Sequence, residues 1–435
     1  MRNNIIHPGA DELIYEIRKI VEVGEKIEKT GVKIIWDNIG DPVAKGHIIP
    51  QWIKEIVATT VTSDNLSYGY SPTKGLLATR EYIARERNKE GGAQITPGDI
   101  LFFNGLGDAI STVYNYLNKD ARVIAPNPTY STHSSAEAAH ADSPHLTYRL
   151  NPENNWYPDL DDLKNQIARH PDISGILLIN PDNPTGMVYP GDVIKQMVEI
   201  AKQNDLFIIA DEVYANLCYG GVTHKSLASV IGDVPGMAMR GISKEFPWPG
   251  SRCGWIEFYN CDKDPAFARY AKTIVDAKML EVCSTTLPQR VLPIIMSDTR
   301  YLPYLTERNA AFWEKSQLAY SILSKIPELI VNKAYGASYM TILFKDGVLR
   351  EGQFLKPANK LAGEIIKPLI DGSNFDKRFV YNLLASRGIC VVPLSSGFNS
   401  DLQGFRITLL EPDIDIFKDM LNIIAEAVKE YLKSK

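Results

Sequence analysis

Through the middle of the chain, short apolar runs recur with little polar interleaving, and most stop at turns rich in Gly, Pro, Asn or Asp. Runs of this length predict strands at Asp99–Phe103, Arg122–Ala125, His145–Tyr148, Gly175–Asn180, Leu206–Asp211, Met237–Gly241 and Arg252–Phe258. Helix-compatible stretches separate them. Residues Pro190–Asn204, for example, carry Pro near the start and Val193, Met197, Val198 and Ala201 at helical spacing. Strands apolar on both faces imply a mostly parallel sheet covered by helices, so the pattern predicts an α/β unit over residues 50–300. Residues 11–30 show an amphipathic helix pattern, and residues 300–435 mix helices with strands such as SYMTILF and FRITLL. The termini, 1–49 and 301–435, are expected to combine into a smaller α+β domain. Lys345–Asp376, with four glycines and weak periodicity, reads as a long insertion or lid.

Composition narrows the function classes. With 435 residues, 45% hydrophobic and 23% charged, the chain has the balance of a globular protein with a large core. Forty-seven basic against 52 acidic residues leave a net charge of −5, which argues against nucleic acid or an anionic membrane as the main partner. No apolar run approaches the ~20 residues that span a bilayer, and the first residues lack the apolar core of a secretory signal. Five cysteines without a CxxC pair fit a reducing cytoplasm and no disulfide framework. His133, His140 and His145 form a loose cluster that no cysteine or carboxylate pattern completes, so no metal site is expected.

The candidate chemistry sits where strands end, because ligands of such sheets bind beyond the carboxyl ends. Asp211 closes LFIIAD; it is either a helix cap or a buried carboxylate facing a cationic ring nitrogen. Asn183, in the turn of GILLINPDNPTG, is either turn chemistry or an amide aimed into a cleft. In FFNGLGDAI, Gly105 and Gly107 allow backbone N–H groups to approach an anion at a helix start, or simply make a strand-to-helix turn. Lys244 follows a predicted strand, with Arg252 eight residues on. Both are surface charges, or else a Schiff-base nucleophile with a phosphate-holding guanidinium. Arg406, inside the apolar strand GFRITLL, needs a partner there: a structural ion pair or a substrate carboxylate.

Taken together and in this order, the motifs resemble the fold-type I, class I/II pyridoxal-phosphate aminotransferases from about Ile35 to Arg406, and VKIIWDNIGDP with YGYSPTKG looks most like the alanine aminotransferase branch. The resemblance implies that Lys244 binds the cofactor covalently and shuttles the proton between substrate Cα and cofactor C4′. It implies that Asp211 salt-bridges the pyridinium nitrogen, that Asn183 and Tyr214 bond the phenolic oxygen, and that Tyr130 stacks on the ring. The phosphate would be held by backbone at Gly105, Leu106 and Gly107, by Ser243 and by Arg252. Tyr70 would reach the neighbouring subunit's phosphate, making a homodimer. Arg406 would grip the substrate α-carboxylate, assisted by Asn183 and Gly40, with Tyr15, the ends of the 345–376 segment and Gly336–Met340 near the side chain. Two departures stand out: Gly241 replaces the serine or threonine many relatives use for phosphate, and Leu280 falls near the arginine that aspartate aminotransferases use for a distal carboxylate. The implied reaction is ping-pong transfer of an amino group from L-alanine to 2-oxoglutarate, with a β-lyase or decarboxylase on the same scaffold as the alternative.

Overall fold

The apolar runs assemble into one eight-stranded sheet. The structure, a computed structural model, describes residues 5–13 and 15–434. Its strands are β1 (Ile35–Trp36), β2 (Ile100–Phe103), β3 (Arg122–Asn127), β4 (Thr147–Asn151), β5 (Tyr157–Pro158), β6 (Ile173–Ile179) and β7 (Phe207–Asp211). Then follow β8 (Gly236–Gly241), β9 (Gly254–Tyr259), β10 (Leu329–Val331), β11 (Tyr339–Phe344), β12 (Ile389–Cys390), β13 (Val392–Pro393) and β14 (Gly404–Thr408). The helices are α1 (Glu16–Glu28), α2 (Gln51–Ser63), α3 (Leu77–Asn88), α4 (Leu106–Asn115), α5 (Ser131–Ala141), α6 (Leu160–Arg169) and α7 (Gly191–Gln203). They continue as α8 (Pro265–Met279), α9 (Thr286–Ser297), α10 (Tyr301–Leu323), α11 (Lys360–Ile370), α12 (Phe375–Arg387), α13 (Leu394–Gly397) and α14 (Ile414–Lys433).

The large sheet has the order β2-β9-β8-β7-β6-β3-β4-β5. Adjacent pairs from β8 through β4 are parallel, whereas β9 and β5 run antiparallel to their neighbours. Every residue of β2, β3, β7 and β9 is buried, as expected for strands covered on both faces. Chain order moves outward from β3 in both directions, to β4 on one side and to β6, β7 and β8 on the other. The carboxyl ends therefore flank a topological switch point, where a crevice opens. A second sheet, β10-β11-β14-β13, is antiparallel, and β1 pairs in parallel with β12, tying Ile35 to Ile389.

Three sequence expectations shift. The strand expected from Arg252 starts at Gly254, because Arg252 adopts a left-handed conformation (φ 49°) after the 3-10 turn Pro249–Ser251. The strand expected at His145–Tyr148 runs instead over Thr147–Asn151, since α5 stops at a left-handed Asp142 and Pro144 lengthens the connection. Lys345–Asp376 is not a lid. It contains α11, capped by the Asn359 side chain and packed on α1 and α12, with Leu349, Leu355, Ala362 and Ile366 buried.

Buried ion pairs fasten helices to the sheet. The Arg122 guanidinium donates to both Glu137 carboxylate oxygens (2.6 and 3.0 Å), locking α5 onto β3. Arg87 on α3 donates to both oxygens of Glu257 on β9 (2.7 and 3.2 Å), and Trp255 and Tyr259 add donors at 2.9 and 2.7 Å. Burial raises the Glu257 carboxyl, but Arg87 outweighs it and holds the group at about 2. This depressed value contributes stability above the unfolded carboxyl range near 4.5, and the contribution is lost as pH falls toward 2. Arg87→Met strands that carboxylate in the core, so a loss of about 3–5 kcal/mol is expected, read as a lowered thermal midpoint that Glu257→Leu in the same chain largely restores. An unchanged midpoint in the single variant would contradict this.

Candidate active site

The crevice at the strand ends is a cleft of about 630 Å³. Five sheet strands deliver side chains to it. Asp211 is the last residue of β7, Asn183 follows β6, Tyr130 follows β3, Leu106 and Gly107 follow β2, and Ser243 and Lys244 follow β8; all line the cleft. Arg406 arrives from β14 of the second sheet, and Tyr15 and Gly40 from the N-terminal segment.

Asp211 is 3% exposed, and one oxygen lies 3.2 Å from His133 Nε2 while the other accepts from the Val213 backbone N–H at 3.1 Å. His133 is in turn 3.4 Å from the Tyr114 hydroxyl. The histidine weighed only as part of a loose cluster thus stands behind the site's buried carboxylate. Lys244 Nζ donates to the Gly40 carbonyl at 2.6 Å. Tyr214 donates its hydroxyl to Tyr339 at 3.1 Å. Burial lifts the Tyr214 phenol well above its ordinary value. Burial also raises Tyr339, but Lys244 and Arg406 together outweigh it and leave that phenol below its ordinary value.

Arg406 is 2% exposed. One guanidinium nitrogen donates to Asn183 Oδ1 at 3.3 Å and another to the Asn38 carbonyl, while its carbon lies 4.3 Å over the Tyr339 ring and 4.9 Å from the Phe398 ring centre. Its Nε has no partner. A buried donor without an acceptor is costly, and of the three arginines whose Nε lacks a partner among the described residues, Arg290, Arg308 and Arg406, only Arg406 lines the cleft. The segment that carries Asn38 and Gly40 is pinned by Asp37, which accepts from the Thr408 hydroxyl (2.6 Å) and backbone N–H (3.0 Å). Burial pushes the Asp37 carboxyl up to about 6 against the opposing pull of Lys45.

At the other end of the cleft, Gly105 (φ 84°) turns the chain into α4. A side chain there would strike the Arg252 guanidinium, so glycine is what lets that charge lie against the helix start. An N-terminal helix end with a guanidinium beside it favours a phosphate. At Gly241 an added side-chain carbon would sit tightly against the Cys253 carbonyl at 3.0 Å. Tyr70 does not line the cleft; it is 86% exposed on the outer surface. Sequence reasoning missed His133, Asp37 and Tyr339 as members of the site, although Tyr339 lies within the Gly336–Met340 stretch it flagged.

A lysine amine, a buried carboxylate, a phenol and a phosphate cradle in one crevice define a fold-type I pyridoxal-phosphate enzyme. The chain belongs to the class I and II aminotransferase family, whose profile matches residues 33–412, and it is a pyridoxal-phosphate-dependent aminotransferase. It is 55% identical over 434 residues to an uncharacterized aminotransferase of Methanocaldococcus jannaschii, covering 100% of both chains. The glutamate-pyruvate aminotransferase of Escherichia coli is 28% identical over 76% of this chain and 80% of its own. The solved alanine aminotransferase from Pyrococcus furiosus superposes with a TM-score of 0.82 at 26% identity, over 99% of this chain and 100% of that one. The cofactor fits the residues present. Asp211 offers a fixed anion for a cationic ring nitrogen, Lys244 an amine for the aldehyde, and Arg252 with the α4 start an anion seat.

Gly40 also passes so close to Tyr339 that an added side-chain carbon would collide with its hydroxyl. Gly40→Ala is therefore expected to displace the 37–40 segment and lower kcat/KM about a hundred-fold while the thermal midpoint changes little. Steady-state kinetics at wild-type level would contradict that placement.

Proposed function

We propose that this aminotransferase transfers the amino group of L-alanine to 2-oxoglutarate in a ping-pong cycle. The observation that carries the reading is Arg406, a buried guanidinium with a free Nε, which shares the cleft with Lys244 and Asp211. The alanine aminotransferase from Pyrococcus furiosus and the glutamate-pyruvate aminotransferase of Escherichia coli, both similar to this chain, support the substrate class.

Pyridoxal phosphate, when bound, supplies an electron sink and a carrier for the amino group. The chain's residues do the rest. Asp211, backed by His133, keeps a proton on the ring nitrogen. Tyr214 and Asn183 bond the phenolic oxygen, Tyr130 covers the ring face, and Leu106, Gly107, Ser243 and Arg252 hold the phosphate with Gly105 shaping the turn. Arg406, Asn183 and the Gly40 backbone fix the substrate α-carboxylate, and this orientation places the Cα–H bond where Lys244 Nζ takes its proton and later returns one. Lys244 must leave the Gly40 carbonyl to do so.

A homodimer with Tyr70 reaching the neighbouring phosphate completes the reading. Leu66, Tyr68 and Tyr70, from 68 to 86% exposed, lie on a segment hydrogen-bonded to the one that carries exposed Leu280 and Val282, through Thr73 to the Val282 carbonyl and Thr286 to the Gly69 carbonyl. The chain divides into a large unit at residues 50–300 and a small unit formed by 1–49 and 301–435, and it works in the cytoplasm. Among the described residues no helix is long and apolar enough to cross a membrane.

Mixing the purified holoenzyme with L-alanine alone should abolish the cofactor's visible absorption band and release pyruvate, and 2-oxoglutarate should restore the band. Lys244→Ala should lose turnover by at least about 10⁴-fold with its fold intact. Release of pyruvate and ammonia with the band retained would replace transamination by a lyase reaction.

A further inference from the structure

Lys244 and Arg406 belong to different sheets, so a geometry that uses both depends on what holds those sheets in register. Lys244 sits in the loop between β8 and β9. Among the described residues, the backbone of residues 243–247 takes part in one backbone–backbone hydrogen bond, from Trp248 N–H to the Phe246 carbonyl, which stays within the loop. Side chains hold it to the rest of the molecule. Arg308 Nη1, on α10, donates to the backbone carbonyls of both Lys244 and Glu245. The Tyr301 hydroxyl, also on α10, donates to the Glu245 carboxylate at 2.6 Å, and Asn216 adds a bond at 2.9 Å.

Further along, α10 grips the smaller sheet. Ser316 donates to the Ala334 carbonyl at 2.9 Å, in the connection from β10 to β11, and Lys315 Nζ to the Leu409 carbonyl at 3.4 Å. Leu409 directly follows β14, the strand that carries Arg406. Tyr301, Arg308 and Lys315 recur every seven residues, so they lie along one face of the helix, and all three are buried. From 301 to 315 a helix spans about 20 Å. One rigid element thus links the backbone of Lys244 to the strand of Arg406.

Arg308 does not line the cleft, and its guanidinium carbon lies 5.4 Å from the Phe312 ring centre. Its contact with Lys244 is through the backbone. Charge-assisted bonds to carbonyl oxygens are roughly twice as strong as neutral ones, which suits a clamp. We propose that Arg308 is a positioning residue for Lys244. By holding two successive carbonyls, it fixes the backbone from which the lysine side chain departs, so that the amine, released from Gly40, meets the cofactor aldehyde and the substrate Cα–H in one geometry. This rests on the role proposed for Lys244.

The test compares Arg308→Met and Arg308→Lys with the wild type. Pyridoxal phosphate is held through a lysine as well as through its ring and phosphate, whereas pyridoxamine phosphate lacks the aldehyde and is held by ring and phosphate alone. Arg308→Met should therefore lower the apoprotein's affinity for pyridoxal phosphate about ten-fold and leave that for pyridoxamine phosphate within about two-fold of wild type. In the half-reaction with L-alanine, kcat should fall about ten- to hundred-fold at nearly constant KM, and the isotope effect of deuterium at Cα should rise. Arg308→Lys, whose single nitrogen can still donate to the carbonyls, should recover part of each, and it decides the question if Arg308→Met does not fold. Equal loss of affinity for both cofactor forms, or an unchanged preference with an unchanged isotope effect, would overturn the proposal. Lys244→Ala, titrated alongside, separates the two readings. If it keeps the wild-type preference for pyridoxal phosphate, the role of Lys244 falls and the proposal with it; if it loses the preference while Arg308→Met and Arg308→Lys keep it, Arg308 alone is refuted.

Discussion

A guanidinium buried in the middle of an apolar strand organises this molecule. Arg406 sits in β14 between Phe405 and Ile407, both fully buried, where an unpaired charge is expensive. Its partners come from distant parts of the chain: the Asn38 carbonyl from the N-terminal segment, the Asn183 amide from the turn after β6, and two aromatic faces from Tyr339 and Phe398. Satisfying that one charge draws together the segment around Asn38, the large sheet and the second sheet. The nitrogen left free is open to a substrate carboxylate, so in the proposed function one side chain both joins distant parts of the fold and binds the substrate.

The remaining placement follows from topology. The co-directional strands of the sheet put their carboxyl ends on one edge, and the loops after β2, β3, β6, β7 and β8 all open into the same crevice. Rigid strands with fully buried faces hold these groups to a fixed geometry, and buried ion pairs such as Arg122 with Glu137 carry that rigidity into α5, where His133 stands behind Asp211. The N-terminal segment closes the crevice from the other side. Asp37 secures it to Thr408, and the Gly40 carbonyl occupies the lysine.

The sequence made legible those groups whose role is announced by their immediate neighbours. Asp211 ends a run of apolar residues, Lys244 follows a strand, and Arg406 interrupts one, so each stood out from local pattern alone. The fold class was legible for the same reason, since strands without alternation imply burial on both faces. His133, Asp37 and Tyr339 were not legible as members of the site, because their meaning depends on partners far along the chain. His133 meets Asp211 across 78 positions, and Asp37 meets Thr408 across 371. The Lys345–Asp376 stretch misled because its glycines mask a short helix whose apolar face is legible only once α1 and α12 cover it. The strand starting at Gly254 rather than Arg252 turned on one left-handed residue, a conformation that composition does not announce.

In the proposed function one crevice, centred on Lys244 and Asp211, holds the cofactor. Reducing the holoenzyme with borohydride fixes pyridoxal phosphate irreversibly to the lysine that binds it, and peptide mass spectrometry then locates the adduct. A single modified residue, Lys244, is expected. An adduct on any other lysine, or none in protein that has bound the cofactor, would contradict it.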